Sequence, residues 1–127
     1  MAEKTVAQKL MIKEGRSALL VNPPDGYRAG LGALPAQATL ATAPSAPVDI
    51  IQVFVRNRQE LEEQLPRLKP LLRPKGMIWV TYYKGSSKTS TDINRDSIAA
   101  YAATLGLEAV AIISIDEDWS ALRLKAV

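Results

Sequence analysis

Four segments of strand length are apolar through most of their course rather than at every second residue: residues 17–21, 48–55, 77–83 and 109–115. A strand that alternates apolar and polar side chains keeps one face in water. A strand that is apolar along its length has both faces covered, and that occurs where helices pack on the two sides of a parallel sheet. These segments therefore restrict the chain to an α/β architecture before any other feature is considered.

The intervening segments agree. Residues 5–13 read as a short helix with Val6, Leu10 and Ala7 on one face, stopped by Gly15. Asn22-Pro23-Pro24-Asp25-Gly26 is a turn, and residues 27–34 read as one or two helical turns. Residues 38–42 suit a short strand, and residues 43–47 form a Pro/Ala loop too short to link domains. Asp49, near the start of its strand, is expected to cap or pair locally. Residues 58–72 read as helix with the stripe Leu61, Leu65, Leu68 and Leu72, and a break or kink is expected at Pro66. A polar loop, residues 84–91, precedes a helix marked by Ile98, Tyr101, Ala102 and Leu105 and ended by Gly106. After the acidic turn at residues 116–118, residues 121–127 alternate apolar side chains with Arg123 and Lys125, which predicts an antiparallel edge strand. The expected fold is a single Rossmann-like domain over residues 1–127. It is a three-layer αβα sandwich with a mostly parallel sheet and a C-terminal antiparallel hairpin strand.

Composition removes several chemistries. The 127 residues include no cysteine and no histidine. Disulfides, thiolate nucleophiles, iron–sulfur clusters and catalytic sets built on His are excluded, and zinc would have only carboxylates to bind it. The net charge of +3 suits an anionic small molecule or a solvated surface as well as it suits nucleic acid. Lys and Arg are scattered among acids without a basic helix face, which argues against nucleic acid. No apolar h-region follows the N-terminus and no run reaches membrane-spanning length, so a cytoplasmic protein without membrane contact is expected.

Two stretches resemble S-adenosylmethionine-dependent methyltransferases. Residues 10–16, leading into the strand that ends at Val21, are similar to the approach to that family's cofactor loop. Leu71-Leu72-Arg73-Pro74-Lys75-Gly76-Met77-Ile78-Trp79-Val80 resembles its later lysine-proline-glycine segment. The closing hairpin matches its antiparallel last strand. The resemblance implies a shortened methyltransferase-like fold, with S-adenosylmethionine as the implied cofactor. The chain departs from the family at the loop after the first strand. There Pro23 and Pro24 remove two N–H donors where the family uses glycine, and residues 41–45 hold no acid to meet ribose hydroxyls. Asn22-Pro23-Pro24-Asp25-Gly26-Tyr27, residues 84–88, residues 92–97 and residues 116–123 also resemble a small bacterial family of domains of unknown function, which implies a Rossmann-like fold and no particular activity.

In open α/β sheets ligands bind outside the carboxyl ends of the parallel strands. Asn22, Arg56, Lys84 and Asp116 mark those ends. Around them gather Asp25, Tyr27, Ser86, Ser87, Lys88, Asp92, Asn94, Arg95, Glu117 and Trp119, which complete the candidate ligand-binding set. Residues 84–88 could hold a phosphate or carboxylate, or form a solvated loop. Asp92 and Asn94 open a helix and suit capping. Arg95 could bind an anion or enter an ion-pair network with Asp25, Asp116 or Glu117, and the network is the favoured reading. Asp116, Glu117 and Asp118 could hold Mg²⁺, although acidic hairpin turns are common and no metal is assigned. Trp119 suits a pocket wall or the core, and any of Tyr27, Tyr82, Tyr83 and Tyr101 could offer a hydroxyl. The leading reading is a non-catalytic or degenerate Rossmann-like module that binds a small anionic ligand or a protein partner, with self-association open. The alternative is a methyltransferase-like enzyme with an altered cofactor loop.

Overall fold

The computed structural model describes residues 6–27, 36–41, 47–84, 91–115 and 118–126. Its elements run α1 (Val6–Lys9), β1 (Ser17–Val21), β2 (Thr39–Ala41), β3 (Val48–Phe54), α2 (Arg58–Leu68), a 3₁₀ turn (Lys69–Leu71), β4 (Leu72–Tyr83), α3 (Arg95–Thr104), β5 (Leu107–Ser114) and β6 (Trp119–Ala126). They build one six-stranded sheet ordered β2-β1-β3-β4-β6-β5. Strands β2, β1, β3 and β4 are mutually parallel, and β6 runs antiparallel to both β4 and β5. The chain leaves β1 toward β2 and returns to the other side of β1 as β3. The topological switch point, where such sheets open a crevice, therefore lies between β1 and β3.

Both faces of the interior strands are covered, as continuous apolar strands require; β5, at the edge, departs from that expectation and leaves Val110 and Ile112 exposed on one face. On one face Ile51, Val53 and Val80 pack with Leu61, Leu65 and Leu68 of α2 and Ile98 and Ala102 of α3. On the other, Leu20, Ile50, Phe54, Trp79 and Ala121 pack with Ala7 of α1 and with Leu10 and Ile12 beyond it.

Several elements differ from the sequence expectations for identifiable reasons. The first helix is a single turn, because Met11 takes a positive φ of 65° and the chain turns away. The Trp79 indole N–H then donates to the Leu10 carbonyl at 2.9 Å. Helix α2 runs through Pro66 without the expected break. A proline at that position leaves the Glu62 carbonyl without its helical N–H, and the Tyr101 hydroxyl donates to it at 3.4 Å. The final strand β6 is not an edge strand; it inserts between β4 and β5, and β5 forms the edge. The alternation in β6 arises because Arg123 is half-buried, 5.9 Å from the Trp79 ring centroid and bonded to the Met11 sulfur at 2.8 Å. Most of residues 27–34, residues 42–46 of the Pro/Ala segment and Val127 lie outside the described residues. The turn after β1 forms as expected, with Asn22 and Gly26 at φ of 56° and 79°. Gly106, at φ 76°, ends α3, a conformation glycine adopts without penalty.

Asp49 sits at the amino edge of the sheet, away from the switch-point crevice. Its carboxylate accepts from the Ser17 backbone N–H at 3.0 Å and the Ser17 hydroxyl at 3.2 Å, with Arg73 at 3.5 Å and Arg16 at 3.8 Å. The local pairing expected of Asp49 thus extends across β1 and β4. The Ser17 N–H above all, with the Ser17 hydroxyl and the two guanidiniums, holds the Asp49 carboxyl below its ordinary value against the opposing effect of burial. A carboxyl depressed in the folded state contributes stability above its unfolded value and loses that contribution as pH falls through the folded one. Asp49→Ala is expected to cost about 2 kcal/mol at neutral pH, since it strands a Ser17 donor. The gap between variant and parent in urea melts should close as pH drops below the ordinary carboxylate range. A gap independent of pH would contradict this account.

Candidate functional site

Among the described residues, a cleft opens on each face of the sheet at its carboxyl edge. The first, of about 420 Å³, lies on the α1 face and is lined by Val6, Pro24, Asp25, Gly26, Tyr27, Ile115 and Trp119. Its size falls within the range of small-molecule sites. The turn at residues 22–27 carries the chain from the end of β1 over the sheet, and the Tyr27 N–H closes it on the Pro24 carbonyl at 3.1 Å.

A row of aromatic rings spans this edge. Tyr27 meets Phe54 edge-on with centroids 4.6 Å apart, Phe54 meets Trp119 edge-on at 5.0 Å, and Trp119 stacks on Tyr83 at 4.1 Å. Such pairs hold one another in fixed orientations. Beneath them runs a polar chain: the Tyr27 hydroxyl donates to Gln52 Oε1 at 2.9 Å, and Gln52 Nε2 donates to the Thr81 hydroxyl at 3.0 Å. Gln52 and Thr81 are both buried. Two strands and the loop after β1 are thereby tied together at the switch point.

The second cleft, of about 380 Å³, lies on the α3 face and is lined by Tyr82, Lys84, Asn94, Arg95, Asp96, Ile112 and Ser120. Its position follows from the start of α3. Asn94 caps that helix, accepting from the Ser97 N–H at 2.9 Å, while the Ser97 hydroxyl accepts from the Asn94 N–H at 2.9 Å.

The expected site residues are therefore divided between two faces. Asp25, Tyr27 and Trp119 line the first cleft; Lys84, Asn94 and Arg95 line the second. Asn22 is exposed at the turn. Arg56 is exposed at the end of β3, where its N–H donates to the Glu60 carboxylate at 2.6 Å and its carbonyl accepts from the Thr91 hydroxyl at 2.6 Å. Asp92 does not cap α3. It accepts from the Arg58 N–H at 2.7 Å, at the start of α2. Arg95 is exposed, and among the described residues its ion pair is with Asp96 at 3.7 Å rather than with Asp25. Helix geometry sets that choice, since Arg95 and Asp96 share the first turn of α3 while Asp25 belongs to the opposite face. Ser86, Ser87, Lys88, Asp116 and Glu117 lie outside the described residues. Among the described residues no group of three acids could hold a metal ion, and no helix is long and apolar enough to cross a membrane.

Gln52 and Thr81 were passed over in the sequence. Their signal was a polar side chain within a strand buried on both faces, a placement that demands a hydrogen-bond partner.

A sheet of four parallel strands continued by an antiparallel pair, with the last strand inserted inside the one before it, defines a methyltransferase-like Rossmann fold. The structural comparisons agree. The chain is similar to the ribosomal protein L11 methylase of Lactobacillus delbrueckii subsp. bulgaricus, with a TM-score of 0.65 and 14% identity, over 94% of this chain and 73% of that one. It is similar to a SAM-dependent methyltransferase from Aquifex aeolicus, with a TM-score of 0.63 and 12% identity, over 96% and 88% of the two chains. It is also similar to an rRNA methylase from Streptococcus thermophilus, with a TM-score of 0.60 and 9% identity, over 100% and 99%. At these identities the likeness is one of fold. No protein-family model and no curated protein matches the sequence.

Proposed function

We propose that the chain binds S-adenosylmethionine in the cleft on the α1 face and acts as a methyltransferase of altered cofactor loop. The observation that carries this reading is the joining of the aromatic row to an exposed carboxylate at the switch point of a methyltransferase-like sheet. The ligand combines an aromatic base, ribose hydroxyls and cationic sulfonium and ammonium groups. The rings of Tyr27 and Trp119 suit the base and the cations, and the Asp25 carboxylate suits hydroxyls or an ammonium group. The fit differs from the family's pattern in the loop after β1, where Pro23 and Pro24 cannot donate N–H groups. Side chains would carry the recognition that glycine-loop backbone supplies elsewhere.

Bound there, S-adenosylmethionine would supply an electrophilic methyl group. The chain's own part is to bind and orient. Phe54 and the Tyr27–Gln52–Thr81 chain would fix the position of the Tyr27 ring, and Val6, Pro24 and Ile115 would exclude water from the walls. With no histidine or cysteine, a substrate proton would pass to a carboxylate, a tyrosine, a lysine or solvent.

Calorimetric titration with S-adenosylmethionine and S-adenosylhomocysteine tests this. Saturable micromolar binding is expected, weakened about tenfold by Asp25→Ala, the loss of one charged hydrogen bond. No binding at millimolar ligand would end this reading and favour the non-catalytic module.

A further inference from the structure

We propose that the cleft on the α3 face is a second ligand site, one that takes a small molecule with an oxyanion head, phosphate or carboxylate, on an apolar body. It lies on the sheet face opposite the cleft assigned above and does not depend on that assignment.

The central observation is Tyr82. Its ring is buried, with the residue only 6% exposed, while its hydroxyl is not among the buried side-chain oxygens and opens into this cleft. A hydroxyl held in place by a buried ring and met by water when the cleft is empty can donate to a ligand without giving up an internal bond. The other tyrosine hydroxyls with described bonds contrast with it: Tyr27 donates to Gln52 and Tyr101 to the Glu62 carbonyl. Burial, the largest influence, pushes the Tyr82 phenol above its ordinary value, although the Arg95 guanidinium acts in the opposite direction. The group is therefore protonated at neutral pH and presents a donor to the cleft.

The groups around it select the charge of the ligand. Lys84 and Arg95 contribute two cations to the lining and Asp96 one anion. Lys84 is oriented by the Ser114 hydroxyl, to which its ammonium donates at 2.5 Å, and by its own N–H, which donates to the Asp118 carbonyl at 2.8 Å. Arg95 meets Asp96 only at 3.7 Å, and the two side chains are 62% and 90% exposed. An exposed pair of that kind is weak and leaves the guanidinium available for a better acceptor. Ser120 faces Tyr82 across the β4–β6 register and adds a hydroxyl to the lining. Ile112, 44% exposed on the edge strand, gives the cleft an apolar side that a bare inorganic ion would not use. Three donors of different reach converging beside an apolar wall suit an oxyanion carried on a carbon skeleton.

The test is titration of the full chain with inorganic phosphate, phenyl phosphate and benzoate, followed by amide chemical shifts, with circular dichroism confirming that each variant folds. Saturable binding is expected, and an aromatic oxyanion should bind more tightly than inorganic phosphate. Preference for phenyl phosphate assigns a phosphate head, and preference for benzoate a carboxylate. Tyr82→Phe and Arg95→Gln should each weaken binding about tenfold, as loss of a hydrogen bond to a charged group does. Asp96→Asn should tighten it about threefold by removing a like charge. Arg95 and Asp96 are exposed, so those variants keep the test valid even if Tyr82→Phe disturbs the core. Absence of saturable binding by all three probes at millimolar concentration overturns the proposal. So does binding that Arg95→Gln and Asp96→Asn leave unchanged.

Discussion

Trp79→Ala is expected to lower the unfolding free energy by about 4 kcal/mol, the scale of emptying a large aromatic side chain from a packed core. Trp79 is 1% exposed in the centre of the sheet, and its indole N–H donates to the Leu10 carbonyl. The variant loses the ring, leaves that carbonyl unmatched and removes the surface under Arg123. Because Leu10 directly follows α1 and Val6 of α1 walls the first cleft, the damage should reach that cleft as well. Trp79→Phe separates the two effects. It keeps most of the volume but not the donor, so it should cost about 1–2 kcal/mol and still loosen the α1 segment. Denaturant melts measure the first quantity, and amide exchange over residues 6–12 measures the second. Protection there that is unchanged in Trp79→Phe would show that packing alone holds the segment.

Gly76→Ala is expected to cost about 3 kcal/mol, the upper part of the range for forcing atoms into a packed interior. Gly76 is buried where β3 and β4 lose regular register, between the pairs Val48–Leu72 and Ile50–Met77. A Cβ placed there would lie 2.7 Å from the Asp49 carbonyl oxygen, 2.7 Å from Leu72 Cδ1 and 2.9 Å from the Arg73 carbonyl oxygen. Two of the three are backbone atoms, so no side-chain rotation relieves the overlap. The strands must separate, and the displaced atoms include the backbone of Asp49, whose carboxylate receives Ser17. A thermal melt within a degree or two of the parent would refute this.

Resemblance drew attention to Gly76 as part of a lysine-proline-glycine segment; the reason for the glycine is a close approach between two strands that only the assembled sheet contains. The strands themselves were legible. The apolar segment at residues 17–21 is β1, the one at residues 48–55 is β3 with one residue added, and Gly106 ends α3 as its position indicated. Those are local signals, set by burial on both faces and by a backbone conformation that one residue favours. Helix α2 was half legible. Leu61, Leu65 and Leu68 of its stripe are buried as expected, but the helix continues through Pro66, and the Glu62 carbonyl that Pro66 cannot serve meets Tyr101, which is remote in sequence. The position of β6 inside the sheet was not legible. Its alternation matches that of an edge strand, and the difference lies in what covers Arg123.

The candidate site divides in the same way. That polar residues gather at the carboxyl ends of the strands followed from connectivity, because each parallel strand must deliver its following loop to the same edge. Which residues meet across that edge did not follow. Side chains at neighbouring positions of one strand point to opposite faces, so Tyr82 looks into the α3 cleft while Tyr83 stacks on Trp119 at the other. One set of residues, read along the chain as a single polar edge, is divided between two clefts on opposite faces. Composition and the order of elements were enough for the α/β class, the absence of histidine and cysteine chemistry, and the edge at which the polar loops gather. The tertiary structure alone decided that β6 is interior, that Asp92 serves α2 rather than α3, and that Arg95 and Asp25 never meet. Each of these is a contact between segments far apart in the chain, and which partners meet depends on sheet register and on the face each side chain takes.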